Sequence, residues 1–277
     1  MKNTDGMVCA LKSDLFKLKK HKSVWIGLAV MFGIILLVYC IYWIGMAIIG
    51  NMEPTDAEAI MMKDQMLEIL SPLGYASLAG FSDTCSMSLF VAIIACLFVG
   101  KDFSNGAIRV SVSRGTNRTQ LYFSKWLSLA VLIVIYSVFA IIVCGIFTAF
   151  KGIGVPFTGA HFAVLVRNFA LQLLCNLATM SIVLMLIFLC RSSGASLGAT
   201  IGIYIAFSII FSIASTVGSM SGNSDWIMFM PLQQIIVASS TAKLTVAQIC
   251  AVIIMPLVYG GIATAIGLCT FLKRDIK

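Results

Sequence analysis

Charge is what this sequence has least of. Only 11% of its 277 residues are Asp, Glu, Lys or Arg, against roughly 25% in a soluble domain. A soluble fold of this length has too few charges to cover its own core, and that class is excluded. Histidine is nearly absent. His21 and His161 flank different apolar runs, so no histidine-based metal site or catalytic cluster can form. The nine cysteines show no CxxC pairing, which argues against zinc and disulfide frameworks. Most fall inside apolar runs and read as small apolar filler. No serine sits in a nucleophile elbow. No GxxxxGK[ST] loop is present either, because Ala95 stands where the first glycine would fall before Gly100-Lys101, and Asp102 follows the lysine. The chain therefore offers no catalytic residue, no metal ligand set and no cofactor loop. It reads as a protein without an enzymatic activity of its own.

What the sequence has is hydrophobic length. Apolar residues make up 60%, and several runs exceed the ~20 residues that cross a bilayer's hydrocarbon. Inside such runs nearly every backbone group must bond within its own segment, which predicts helices. The short alternating segments of a transmembrane barrel do not occur. The expected fold is an all-α membrane protein, one transmembrane domain over 1–277, with six spans at 24–49, 79–100, 126–147, 168–190, 195–217 and 246–271. The second span is clearest from Ser86 and is extended back toward Ala79. Only Arg191-Ser192-Ser193-Gly194 separates the fourth from the fifth, which predicts a tight helical hairpin. A single helix through both would run ~70 Å, too long for a bilayer. The run from Val24 is much longer than a signal-peptide core of ~7–15 residues, and is read as a retained span.

Lysine and arginine set the orientation. Of 19 such residues, 15 fall on one side, and only Lys63, Lys151, Arg167 and Lys243 on the other. Both termini and the 101–125 loop are thus expected in the cytoplasm, and the 50–78 loop outside. The net charge of +8 is met by anionic inner-leaflet lipids and needs no nucleic acid. Within the basic 1–23 segment, Leu11, Leu15 and Leu18 share one side among Lys12, Lys17, Lys19 and Lys20. That spacing predicts an interfacial amphipathic helix, with a disordered basic tail as the alternative. Outside, Ile60, Met61, Met66, Leu67 and Leu70 recur at helical intervals between Pro54-Thr55 and Ser71-Pro72, predicting a short external helix.

The most informative stretch is GKDFSNGAIRVSVSRGTNRTQLYFSK, from Gly100 to Lys125. It leaves the membrane, turns at Asn105-Gly106, and predicts a short helix over Ala107–Ser113. A second turn at Arg114-Gly115 precedes a restart capped by Thr116 or Asn117. Two readings stand. One is a basic connector held at lipid headgroups; the other is a docking helix gripped by a cytoplasmic motor.

Here the sequence resembles a known family. An acidic-aromatic pair, Asp102-Phe103, is followed by Asn105-Gly106, Ile108-Arg109 and Ser113-Arg114-Gly115. This looks like the coupling segment of type-2 ABC exporter permeases, in the subfamily of lantibiotic and bacitracin self-protection. The ending Phe271-Leu-Lys-Arg-Asp-Ile276 is similar too. Asp102 stands where family members often carry glutamate, and Ala107 where threonine is common. The resemblance implies a bacterial plasma-membrane permease working with cytoplasmic ABC ATPase subunits and a second permease chain, identical or related. ATP and magnesium would sit on the ATPase. The implied cargo is a hydrophobic antimicrobial peptide or other lipophilic compound moved outward. Lys101, Asp102, Phe103, Asn105, Gly106, Ile108, Arg109 and Arg114 would then carry the coupling.

Two patterns lie inside the membrane. Asn168, Gln172 and Asn176 fall at i, i+4 and i+8, a polar face that serves either interhelical hydrogen bonding or a substrate-facing lining. Gly194, Gly198 and Gly202 repeat GxxxGxxxG, which predicts close helix approach within this chain or to a second subunit. A secondary transporter without a motor is the alternative from another class. It would call for ionisable residues deep in the spans, and none is placed there. A non-transporting anchor or sensor subunit is the third reading.

Overall fold

The computed structural model describes residues 2–50, 61, 87–113, 115–151, 159–221, 227, 229–239 and 244–273. Among these residues there is no strand. The helices are α1 (Lys2–Lys20), α2 (Lys22–Gly50), α3 (Met87–Ser104), α4 (Ala107–Ser113), α5 (Arg118–Lys151), α6 (Gly159–Cys190), α7 (Ser193–Ser221), α8 (Pro231–Ser239) and α9 (Val246–Lys273). Five of them are long and apolar enough to cross a membrane, and α3 with α4, bent by 58°, makes a sixth if the pair counts as one span. The chain is a multi-pass, all-helical membrane protein. The expected external helix lies outside the described residues, as do positions 79–86 of the second expected span.

Local chemistry explains the breaks. Between α1 and α2 the chain corners at His21, whose N–H bonds the Leu18 carbonyl at 3.3 Å, while the Trp25 indole donates to the Lys19 carbonyl at 2.9 Å. The α6–α7 hairpin turns on Arg191, held at φ 54°. Ser192 then caps α7, its hydroxyl accepting from the Ala195 N–H at 3.2 Å. At the start of α9 the Gln248 side chain reaches back to the Thr245 N–H at 2.9 Å, half of a capping box.

Helix α6 is the axis of the bundle, packing against α3, α5, α7, α8 and α9. Small residues allow its closest approaches. A Cβ on Gly260 of α9 would lie 3.1 Å from the Ala178 Cα, and one on Gly267 would lie 3.3 Å from the Met185 Cα. The three glycines of the α7 repeat do not act this way. Gly194, Gly198 and Gly202 have nothing within 4 Å of where a Cβ would stand. The opposite side of α7 turns inward and buries Ser196 and Thr200. Close approach within the chain is made instead by Gly260 and Gly267 against α6, and by Gly100 of α3, where a Cβ would lie 2.7 Å from the Ser193 Cα at the start of α7.

Helix α1 also differs from a helix floating on lipid. Its apolar side faces the bundle, with Leu18 buried in the main core and the helix packed along α5. Cys96 and Cys175 are core filler as expected, whereas Cys9, Cys40, Cys250 and Cys269 are exposed.

Candidate functional site

Two turns shape the segment between α3 and α5. Gly106 adopts φ 69°, a left-handed value that glycine reaches without steric cost. Around it the Asn105 N–H bonds the Lys101 carbonyl at 2.9 Å, and the Val110 N–H bonds the Gly106 carbonyl at 3.1 Å. Helix α4 then spans Ala107–Ser113, the bounds predicted from its turn residues. It ends on Gly115 at φ 87°. The Thr116 N–H returns to the Ser111 carbonyl at 3.3 Å and the Gly115 N–H to the Val112 carbonyl at 3.0 Å, the two bonds of a Schellman cap. Asn117 opens α5, its carbonyl taking the Leu121 N–H at 3.1 Å.

The short helix has two faces. Ile108 is buried and Val112 packs on the core, whereas Arg109, Val110 and Ser113 are exposed. Close by, an aromatic cluster joins four helices. Phe188 of α6 meets Phe103 of α3 at 5.1 Å between ring centroids, Tyr122 of α5 at 4.9 Å and Phe271 of α9 at 4.8 Å. Arg118 of α5 adds a fourth link, donating to the Leu272 carbonyl at 3.1 Å near the end of α9. A cation there also suits the negative end of a helix dipole.

A buried ionic node lies at the same end. Lys125, only 2% exposed, places its Nζ 2.6 Å from Asp14 Oδ1 and 2.5 Å from Asp102 Oδ2. Ser124 donates to the other Asp14 oxygen at 2.8 Å, and Lys17 reaches Asp102 Oδ1 at 3.5 Å. Two carboxylates thus face two ammonium groups, and the formal charges cancel. The Phe98 ring lies 5.6 Å from the Lys125 Nζ, with His21 edge-on to that ring at 5.6 Å. Burial pushes the His21 imidazole below its ordinary value of 6.5, the Lys101 charge adds to that, and Asp102 opposes it.

The structure divides the expected site residues. Asp102, Phe103 and Ile108 turn inward as fastenings, whereas Lys101, Asn105 and Arg109 are exposed. Arg114 lies outside the described residues. Asp14, Ser124 and Lys125 are parts of the site that sequence reasoning missed. One signal was present, because Asp14 is an acid on the leucine side of α1, between Leu11, Leu15 and Leu18. Asp14 and Lys125 are buried ionisable groups, although neither lies deep in an expected span. They sit at the end of the bundle where α1, α3 and α5 meet.

A second polar region runs along the other half of α6. Asn168, Gln172 and Asn176 are all buried. Arg167 donates to Asn168 Oδ1 from Nε at 3.1 Å and from a terminal nitrogen at 3.0 Å. The unexpected helix α8 wedges against α6, α7 and α9, and its fully buried Gln234 accepts from the Tyr259 hydroxyl at 3.2 Å. Among the described residues Gln172 Nε2 has no hydrogen-bond partner. A cavity of about 40 Å³ lies nearby, lined by Ser88, Thr179, Thr200, Tyr204, Phe207 and Pro231 among others. That admits a few waters at most, since one needs ~10–15 Å³ by this measure. Among the described residues no group of three His, Cys, Asp or Glu side chains is placed to hold a metal.

No protein-family model matches this sequence, and no curated protein does.

Proposed function

We propose that this chain is the transmembrane permease subunit of an ATP-driven ABC exporter. Its α4 is the docking helix for a separate cytoplasmic ATPase, and α3 belongs to the sixth span, expected over 79–100. In this reading α1, α4 and both termini are cytoplasmic, in a bacterial plasma membrane. ATP and magnesium act on the partner. The cargo is a hydrophobic antimicrobial peptide or another lipophilic compound, and a second permease chain completes the pathway.

The observation that supports this is the two-faced build of α4. Arg109, Val110 and Ser113 are available to a partner, while Ile108 and the adjoining aromatic cluster tie the same segment to α3, α5, α6 and α9. A push on the exposed face would reach four spans without passing through a flexible linker. The secondary-transporter alternative has one observation to draw on, the buried Lys125 node. That node is fully ion-paired and sits at the end of the bundle, which suits a fastening better than a moving proton or sodium site.

Arg109→Glu tests the proposal. The variant should reach the membrane normally yet lose ATPase association in mild detergent and lose transport. Gly106→Pro should do the same, because proline fixes φ near −65° where the chain stands at 69°. Lys151→Glu, at the opposite end of α5, is the control and should change neither. An Arg109→Glu chain that keeps its ATPase and transports normally would reduce α4 to a connector.

A further inference from the structure

The leucine side of α1 is occupied by the bundle, so its other side is what meets the surroundings. Lys12, Phe16, Lys19 and Lys20 are exposed there, at helical spacings that put them on one face. Lys22 and Trp25 extend this surface past the His21 corner, both exposed, Trp25 by 61%. Lys20 lies over the Phe16 ring at 4.6 Å, and the Trp25 indole is fixed to the Lys19 carbonyl. Among the described residues none of Lys12, Lys19, Lys20 or Lys22 has a carboxylate partner. Asp14 and Asp102, the carboxylates of the adjoining node, are taken by Lys125, Ser124 and Lys17. The node's neutrality leaves this face with an uncompensated positive charge. It also begins directly at the first span, α2.

We propose that this face of α1, with the α1–α2 corner, is a binding surface for anionic phospholipid. Lys12, Lys19, Lys20 and Lys22 meet headgroup phosphates, and Phe16 and Trp25 enter the interfacial layer. The argument for lipid is charge complementarity combined with position. The cations adjoin a membrane-crossing helix, and two exposed aromatic rings of the kind that settle at membrane interfaces flank them. The surface needs no transport role and would exist if α4 docked nothing. Its other side carries Asp14 into the node, so a lipid held here bears on Lys125 and through it on Asp102.

The test uses the full chain purified in neutral detergent and titrated with acyl-brominated phosphatidylglycerol or acyl-brominated phosphatidylcholine. Trp25 fluorescence is read as the quenching lost in a Trp25→Phe chain. The anionic lipid should quench Trp25 at a mole fraction at least several-fold lower than the zwitterionic one. Combined Lys12→Gln, Lys19→Gln and Lys20→Gln should erode that preference by roughly fivefold per lysine, and added salt should weaken it. The corresponding three Lys→Arg changes keep the charge and should keep the preference, which separates loss of the surface from loss of the fold. Equal quenching by both lipids overturns the proposal. So does a preference that survives the glutamine changes. If lipid shows no preference while the glutamine chain loses a co-purifying acidic protein, the face belongs to that protein and the lipid proposal fails.

Discussion

At the α1 end of the bundle, Lys125 is closed in by Asp14 at 2.6 Å and Asp102 at 2.5 Å, and Ser124 donates to the other Asp14 oxygen at 2.8 Å. Toward the other half of α6, Gln234 accepts from the Tyr259 hydroxyl at 3.2 Å, and Gln172 has an amide nitrogen with no hydrogen-bond partner among the described residues. Both regions bury polar atoms, but by opposite means. The first pairs full charges drawn from three helices and reinforces them with edge-on and tilted ring contacts from four. The second uses amides and hydroxyls, with the Arg167 guanidinium on Asn168 as its one described charge, beside a small apolar cluster of Leu171, Cys175, Ile235, Ala238 and Val252. A buried charge network tolerates little rearrangement, because any partner left behind is an uncompensated ion. Neutral groups can exchange partners at much lower cost. The difference makes the first region stiff and the second one where helices can re-pack.

Lys125→Met should break that comparison most severely. It leaves Asp14 without its ammonium partner inside the protein, and losing one member of a buried pair typically costs about 3–5 kcal/mol. The thermal unfolding midpoint in detergent should fall steeply, and α1 should become open to limited proteolysis. Adding Asp14→Asn should restore part of the loss by removing the stranded charge. If Lys125→Met alone unfolds at the wild-type temperature, the node is not what holds α1 in place.

The contrast also explains what was legible in the sequence. Local signals were readable because their causes are local. Asn105-Gly106 and Ser113-Arg114-Gly115 demand turns, and α4 falls between them. The apolar runs demand helices. The node was not legible, because Asp14 and Lys125 are far apart in sequence and meet only once α1 folds back along α5. Helix α8 was missed for a related reason. Its nine residues are too few to give a span signal, and burial against α6 and α9 is what holds it. The GxxxGxxxG repeat marks a smooth helix face without saying what covers it, and within the described residues nothing packs against Gly194, Gly198 or Gly202. The packing glycines of α9, Gly260 and Gly267, are separated by seven residues and their partners lie on α6.

A milder pair of substitutions sharpens the softer half of the comparison. Gln172→Leu removes an amide nitrogen that has no partner, so the chain should lose no stability and can gain up to about 1 kcal/mol. Gln234→Leu removes the acceptor of the Tyr259 hydroxyl, and should cost about 0.6–2 kcal/mol. Denaturation midpoints of the two purified variants measure both. A stable Gln172→Leu chain that nonetheless transports poorly would favour the cargo-lining reading of Asn168, Gln172 and Asn176. Normal transport would favour the packing reading. A large loss of stability would mean that Gln172 holds the fold after all, and the region would no longer count as the softer one.

The smallest effect expected is on pH dependence at the α1–α2 corner, and its sign is fixed by the shift at His21. Burial and the Lys101 charge hold its imidazole below 6.5, although Asp102 works the other way. The folded chain therefore favours the neutral ring more than the unfolded chain does. The stability this gives is present in full above 6.5 and is lost as pH falls through the lower folded value. Protonation would also put a donor on Nδ1, which is buried with no hydrogen-bond partner among the described residues. The wild-type midpoint should drop slightly between a pH above 6.5 and one well below it. His21→Gln should flatten that part of the profile, since glutamine does not titrate. Lys125, Asp14 and Asp102 are untouched by the change, so any acid sensitivity of the node itself will remain in the variant. If the two profiles superimpose, the corner carries no measurable proton linkage. The stiffness of this end would then rest on the ionic node and the ring cluster alone.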